Sequence, residues 1–235
     1  KIPFYKKNDF VMFPLIAPSL LREYLIQNIV EGKVTWEKLY PGPESIIVSE
    51  YRQIFNTEDG PENEITVLAN SIWHNFISKL IWNRSLLLFV QRNYINTNFR
   101  DFNQMENLED TNTPWDWDHI YPSSWIYRKQ NINLNTKHWN NSVGNIRALA
   151  LEENRSENDS LSPSHRLAEL KVQEQSFINE NDWCYWSKIT ERINEGNSEM
   201  IQTHLSAVIN RLCNIYEEWY STLNIGELFC FSTQF

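Results

Sequence analysis

Apolar residues at helical spacing are the feature that most restricts how this chain folds. In 201–219 they recur every three or four positions, and 14–31 and 65–94 show the same pattern. That spacing places apolar side chains on one face of an α-helix, which must then be buried against other elements. Glycine is scarce, with 6 in 235 residues, whereas β-sandwiches and barrels need many tight turns. The sequence therefore predicts a mostly helical protein.

The middle of the chain instead shows the alternation that is typical of short strands. Residues 115–122, WDWDHIYP, alternate until a proline ends the run, and 145–151, NIRALAL, predict a second strand. A helical turn is expected next, at 152–160, and further helices over 163–177 and 182–223. The expected order is helices, then strand–loop–strand–helix, then helices, which is an α+β arrangement dominated by α.

Charge and cysteine content narrow the function classes. The net charge of −9 argues against nucleic-acid binding through overall electrostatics, although 119–151 contains basic residues and no Asp or Glu. That stretch is either a docking surface for phosphates or a chance fluctuation. The three cysteines are far apart and include no C-x-x-C pair, so the sequence indicates neither a disulfide framework nor a structural zinc site. No apolar run is long enough for a membrane span, and we expect a soluble, cytoplasmic protein.

A small set of polar residues could supply the chemistry of phosphodiester hydrolysis: Asp118, His119, Asn145 and Asn154. A neutral imidazole can take a proton from water, and a divalent cation can neutralise charge that develops on a phosphate. Mg²⁺ keeps several waters and needs only one or two protein oxygens, such as a carboxylate and a side-chain amide. Asn145 could hydrogen-bond backbone groups on both sides and hold the loop that follows His119. From spacing alone, a surface Asp-His pair in an Asn-rich region is the commoner interpretation.

Two stretches of the sequence resemble the halves of an HNH, or His-Me finger, nuclease. They are PWDWDHIYPSSW at 114–125 and NNSVGNIRALALEENRSENDSLSP at 140–163. The nine-residue step from Asn145 to Asn154 is similar to the HNH domain of RNA-guided CRISPR effector nucleases. With LLLFVQR at 86–92, the chain resembles more closely the C-terminal nuclease module of GmrSD-type modification-dependent restriction proteins and their Ssp-type phosphorothioate-sensing relatives.

The resemblance implies a small ββα-metal (HNH) module inserted in a mostly α protein. It is specific over 114–163, looser over the flanking segments, and slight over residues 1–64. We therefore expect a helical region at 1–113, the HNH module at 114–163 and a C-terminal helical region at 164–235, all within one compact domain.

The resemblance also assigns roles to residues. It implies that His119 is the general base, that Asp118 and Asn154 bind Mg²⁺ or Mn²⁺, and that Asn145 orients the catalytic loop. The third metal position is Asn154 here, where other members of the family have His. This departure is common in the branch that the chain resembles.

The expected activity is nicking of DNA by an effector of bacterial anti-phage defence. In the relatives, an N-terminal, ParB-like sensor domain with a D-G-Q-Q-R-like motif selects the target. That motif is absent here, so we expect the sensor to precede Lys1 in a longer protein.

Several interpretations stay open at the level of sequence. DNA contacts are expected, alongside the alternative of solvated surface charge, at Lys129, Arg147 and Arg155. Asp116 is either a surface carboxylate, which we favour, or a partner of the metal site. The neighbouring tryptophans could stack on bases, although packing is their commoner use. A catalytically silent DNA-docking or regulatory module is the alternative function, and RNA is an alternative substrate.

Overall fold

The computed structural model of the chain consists mainly of α-helices and contains a two-stranded antiparallel sheet. It describes residues 16–30, 76–100, 102, 113–126, 132, 134–156, 161–194 and 197–229. The elements before the sheet are α1 (Pro18–Leu25), a π-helical turn (Ile26–Val30), helical residues 76–81, α2 (Arg84–Val90) and α3 (Arg92–Asn98). The sheet and the helices between its strands are β1 (Trp115–His119), α4 (Ser123–Ile126), α5 (Leu134–Asn140) and β2 (Ile146–Ala150). The elements after the sheet are α6 (Leu151–Ser156), α7 (Pro163–Arg166), α8 (Leu170–Gln175), α9 (Glu180–Trp186), α10 (Ser198–Thr222) and α11 (Ile225–Phe229).

The long helix α10 is at the centre of the hydrophobic core. It begins after Asn197, whose side chain accepts a hydrogen bond from the Met200 N–H at 3.1 Å. Its apolar face is fully buried at Leu212, Ile215, Tyr216 and Trp219, and α1, α2, α5 and α9 pack around it. The helix predicted from the periodicity of 201–219 is therefore confirmed. None of the described helices combines the length and apolar character needed to cross a membrane.

Both predicted strands are present and pair with each other. β1 and β2 run antiparallel, with Trp115 opposite Ala150 and His119 opposite Ile146. α6 follows β2 directly, because Leu151 is already helical, and it contacts both strands. The coarse prediction of a mostly α fold with a small sheet is confirmed.

The predicted helix over 65–94 is interrupted in its described part. Residues 76–81 are helical, and α2 then begins anew after Asn83, whose side chain accepts a hydrogen bond from the Leu86 N–H at 3.2 Å. A side-chain oxygen that caps one helix offers the backbone an alternative to continuing the previous one. Residues 65–75 lie outside the described residues. The helices predicted over 163–177 and 182–223 are also divided, into α7 and α8 and into α9 and α10.

The loop that enters β2 is seated directly on α10. A Cβ atom at Gly144 would collide with the backbone carbonyl of Val208, so only glycine permits this approach. From the same helix, the fully buried Arg211 donates hydrogen bonds to the carbonyl oxygens of Val143 at 2.9 Å and Ile146 at 2.8 Å. A side chain on the central helix thus satisfies the backbone of the loop between α5 and β2.

Candidate active site

The alternation of side chains along β1 divides the predicted site between two faces. Successive residues of a strand point to opposite sides. Asp116 and Asp118 therefore lie on one face, and Trp117 and His119 lie on the other. The hydrogen bonds of these residues, described next, agree with this division.

The Asp118 carboxylate is enclosed by two arginines. The Arg166 Nη2 atom donates to both carboxylate oxygens, at 2.8 and 2.9 Å, and the Arg147 Nε atom donates to Oδ2 at 2.8 Å. The three side chains are nearly inaccessible, at 9% exposure for Asp118, 2% for Arg166 and 1% for Arg147. Arg147 also donates to the Ser176 hydroxyl oxygen at 3.0 Å. Arg147 is thus engaged inside the protein, and we do not propose it as a DNA contact.

Asn154 contacts the other carboxylate of this face. Its side-chain Nδ2 donates to the Asp116 Oδ2 atom at 3.0 Å, and both residues are half-buried. Asp116 is therefore a hydrogen-bonding partner of Asn154, whereas the sequence favoured a simple surface carboxylate. The side chain of Arg155 and the whole of Lys129 lie outside the described residues.

The donor set at Asp118 does not fit a divalent cation in this arrangement. Two guanidinium groups already neutralise the carboxylate and would repel a further positive charge at this buried position. The Asn154 amide nitrogen donates to Asp116, the other carboxylate of this face, rather than to Asp118. Among the residues that the structure describes, no group of three or more His, Cys, Asp or Glu side chains gathers where it could hold a metal.

His119, at the end of β1, is half-buried on the opposite face. Its Nε2 atom lies 3.2 Å from the Oδ1 atom of Asn141. Burial lowers the pKa of His119, and the positive charges of Arg84 and Arg166 lower it further, while Asn141 and Asp118 act in the opposite direction. The imidazole is therefore neutral at neutral pH and can accept a proton.

Asn145 immobilises the chain just after His119. Its Oδ1 atom accepts a hydrogen bond from the Tyr121 N–H at 2.8 Å, and its Nδ2 atom donates to the Tyr121 carbonyl oxygen at 3.1 Å. Nδ2 also donates to the Asn140 carbonyl oxygen at 2.8 Å, and Asn145 has no exposed surface. One amide therefore ties the loop before β2 to the segment that leaves β1. These are the contacts that a loop-orienting residue requires.

Arg166 is a residue of the site that sequence reasoning missed. Its Nη1 atom donates to the carbonyl oxygens of His119 at 2.6 Å and Ile120 at 3.1 Å, while Nη2 binds Asp118. The guanidinium thus connects the buried carboxylate to the backbone that carries the imidazole. It lies 47 residues from His119 along the chain, so no local sequence pattern indicates the contact.

The nearby tryptophans serve mainly as packing. Trp115 and Trp125 are 3% and 4% exposed, so their faces are not available to nucleobases. Trp117 is half-buried, and the Arg84 guanidinium lies over its ring, 5.0 Å from the centroid. Arg84 and Asn141, like Arg166, are residues of this region that the sequence did not single out.

Comparison of the chain with protein-family models, curated proteins and solved structures found no match.

Proposed function

We propose that this protein is an HNH-family endonuclease that hydrolyses phosphodiester bonds of DNA. The observation that carries the proposal is the Asn145 amide, which binds both backbone groups of Tyr121 two residues after His119. The succession of β1, an intervening loop, β2 and α6 supports it as well. In this arrangement a half-buried imidazole is held by a fixed backbone, which general-base catalysis needs.

The chemistry begins with a water molecule beside His119. In the proposed tautomer, the Nε2–H of His119 donates to the Asn141 oxygen, and the lone pair of the neutral imidazole is on Nδ1. Nδ1 takes the proton as the water oxygen attacks phosphorus, and the oxygen of the leaving strand departs from the opposite side. A single such site cleaves one strand, so nicking is the expected outcome.

Dependence on Mg²⁺ or Mn²⁺ is part of the proposal and comes from the family resemblance. Such an ion would neutralise charge on the phosphate in the transition state. We assign no step to it, because Arg147 and Arg166 already enclose Asp118. Isothermal titration of Mn²⁺ into the wild type and into Asn154→Ala tests the dependence. Weaker binding by the variant is expected, and equal binding would remove Asn154 from the ligand set.

The biological setting also rests on resemblance. It consists of a cytoplasmic role in bacterial defence against phage or modified DNA, with target selection by a sensor domain outside the present sequence. A phage-plaque assay with cells that produce the full-length protein, in wild-type and His119→Ala forms, tests it. Protection that does not require His119 would contradict the defence role of the nuclease.

The direct test of the activity is a plasmid-nicking assay. Supercoiled DNA is incubated with protein and Mg²⁺ or Mn²⁺, and relaxed circles are quantified. We expect His119→Ala to slow nicking by about 10²- to 10⁴-fold, the usual contribution of a general base. His165→Ala removes an exposed histidine of α7 and serves as the control, with an unchanged rate. Equal nicking by wild type and His119→Ala would refute the assignment.

One observation favours a second function, a catalytically silent module that docks on DNA or regulates a partner. The Asp118 carboxylate already accepts three hydrogen bonds from Arg147 and Arg166, so it is engaged with two positive charges rather than open to a metal. DNA binding without nicking in either metal would support this alternative.

A further inference from the structure

An exposed arginine, Arg84, lies over Trp117, whose side chain is on the same face of β1 as that of His119. Arg84 is the first residue of α2, after the break at Trp82 and Asn83. The end of the preceding helical segment is hydrogen-bonded to the loop before β2, because the Val143 N–H donates to the Ile81 carbonyl oxygen at 2.9 Å. The start of α2 is thus held next to the loop that presents Asn141 to His119.

The position of the guanidinium is fixed by an aromatic ring. Arg84 lies 5.0 Å from the centroid of Trp117, which shares a strand face with His119. Its charge is near enough to His119 to contribute to the lowering of the pKa of the imidazole, after the larger effect of burial. Stacking on an aromatic face holds a guanidinium in place while leaving its edge free to form hydrogen bonds.

The positive charge of Arg84 is not neutralised by the described residues. Other arginines form ion pairs: Arg147 and Arg166 with Asp118, Arg22 with Glu217, and Arg92 with Glu218. Arg84 has no carboxylate within ion-pair distance in the described part of the chain, and its side chain is exposed. Trp82, two residues earlier, is 47% exposed and adds an aromatic surface at the same place.

We propose that Arg84 binds a backbone phosphate of a nucleic-acid strand and so places the strand against His119. The inference rests on the proposed nuclease function and adds a substrate contact that neither the motifs nor the family resemblance assigns. A guanidinium edge matches two phosphate oxygens at once, and a phosphate contact positions a strand without reading its sequence. Arg84 therefore replaces Arg147 as the expected phosphate contact of this region.

Equilibrium binding without catalysis tests the contact. The anisotropy of a short fluorescein-labelled DNA duplex is measured with the full chain in EDTA, at several salt concentrations, for wild type, Arg84→Gln and Arg192→Gln. Arg192 is the matched control because it is exposed and stacks on Trp125 at 5.2 Å. We expect Arg84→Gln to weaken binding about tenfold and to reduce the salt slope by about 0.9, the value for one phosphate. Arg192→Gln should change neither quantity.

The outcomes separate this inference from the proposed function. Binding by Arg84→Gln that equals the wild type, or an equal loss in Arg192→Gln, would overturn the phosphate contact. So would a wild type that fails to bind the duplex. Arg84→Lys keeps the positive charge but loses the planar guanidinium. An affinity between those of the wild type and Arg84→Gln would support the phosphate contact. Failure of the proposed function is seen in a different experiment, the plasmid-nicking assay, as nicking that survives His119→Ala. That result does not change how the binding data are interpreted.

Discussion

Asp118 and His119 are neighbours in the chain, yet the structure gives them opposite environments. Asp118 is enclosed with Arg147 and Arg166, and the side chains of this cluster are at most 9% exposed. His119 is half-buried and hydrogen-bonded to one amide, and the exposed Arg84 lies over Trp117 on the same face of the strand. Because strand geometry alone separates the two side chains, adjacency in a motif does not place two residues in one site.

The two faces of β1 therefore differ in what their side chains can do. On the face of β1 that carries Asp118 (the closed face), the buried carboxylate is paired with two arginines, and Arg166 also donates to the carbonyl oxygens of His119 and Ile120. On the face that carries Trp117 and His119 (the open face), the half-buried imidazole and the exposed Arg84, which has no carboxylate partner among the described residues, remain available to a ligand. We therefore expect substitutions on the closed face to reduce stability, and those on the open face to reduce binding or rate.

The largest expected effect on stability is that of Asp118→Ala. It leaves Arg147 and Arg166 buried without their carboxylate, which costs about 3–5 kcal/mol for a broken buried ion pair. Asp116→Ala is the matched control on the same strand and should cost less than about 1 kcal/mol, because Asp116 is half-buried with one hydrogen bond to Asn154. Urea unfolding measures both. Similar losses would show that the ion cluster is not the feature that distinguishes the two carboxylates.

A second prediction concerns protons in the interior behind β1. His204 is fully buried, its ring centroid lies 4.7 Å from that of Tyr121, and burial lowers its pKa to about 3. Below its ordinary value of 6.5 the unfolded chain binds a proton that the folded chain does not. Stability is therefore complete above that value and falls as the pH decreases, by about 1.4 kcal/mol per pH unit between the two pKa values.

Replacing His204 by Phe keeps a ring against Tyr121 and removes the titration. We expect the free energy of unfolding of His204→Phe to fall less than that of the wild type between about pH 7.5 and 5.5, by roughly 1.4 kcal/mol. Urea unfolding at both pH values gives the difference, with the variant at the higher pH as its own reference. Identical pH dependence in both proteins would mean that the pKa of His204 is the same in the folded and the unfolded chain, and would contradict its lowering by burial.

The smallest expected stability effect is that of Asn141→Ala, on the open face. Loss of the acceptor for the Nε2–H of His119 should cost less than about 1 kcal/mol and slow nicking by roughly tenfold at most. ¹⁵N NMR of the imidazole should show the Nε2–H tautomer in the wild type and a mixture in the variant. Asn141→Asp retains an acceptor oxygen and should preserve the tautomer. A wild type with the proton on Nδ1 would refute the positioning role.

Local patterns in the sequence were sufficient for the strands and for the long helix. Alternation in 115–122 and periodicity in 201–219 depend on neighbouring residues, which is why both predictions are confirmed. The division of the helix predicted over 65–94 also had a local signal, because Asn83 is a good N-cap residue. The apolar residues on both sides of Asn83 have the spacing of one continuous helix, and that spacing alone predicts no break.

The contacts of the site were less predictable because they join distant segments. Arg166 reaches Asp118 across 48 residues, and Arg84 lies over Trp117, which is 33 positions further along the chain. Such pairs depend on how the helices pack, and that packing is set by the whole core. The roles of Asp118 and Asn154 as metal ligands stay predictions. The motif includes Arg147 but does not show that it pairs with Asp118, and Arg166 lies outside the motif.

The close packing of Gly144 against α10 limits how the segment 114–163 can be transferred to another protein. The loop that carries Asn141 and Asn145 receives its shape from Val208 and Arg211, which belong to the distant helix. Grafting residues 114–163 alone onto another scaffold would leave the carbonyl groups of this loop without Arg211 and the glycine without its close neighbour. A functional graft would therefore have to include the part of α10 that contains Val208 and Arg211.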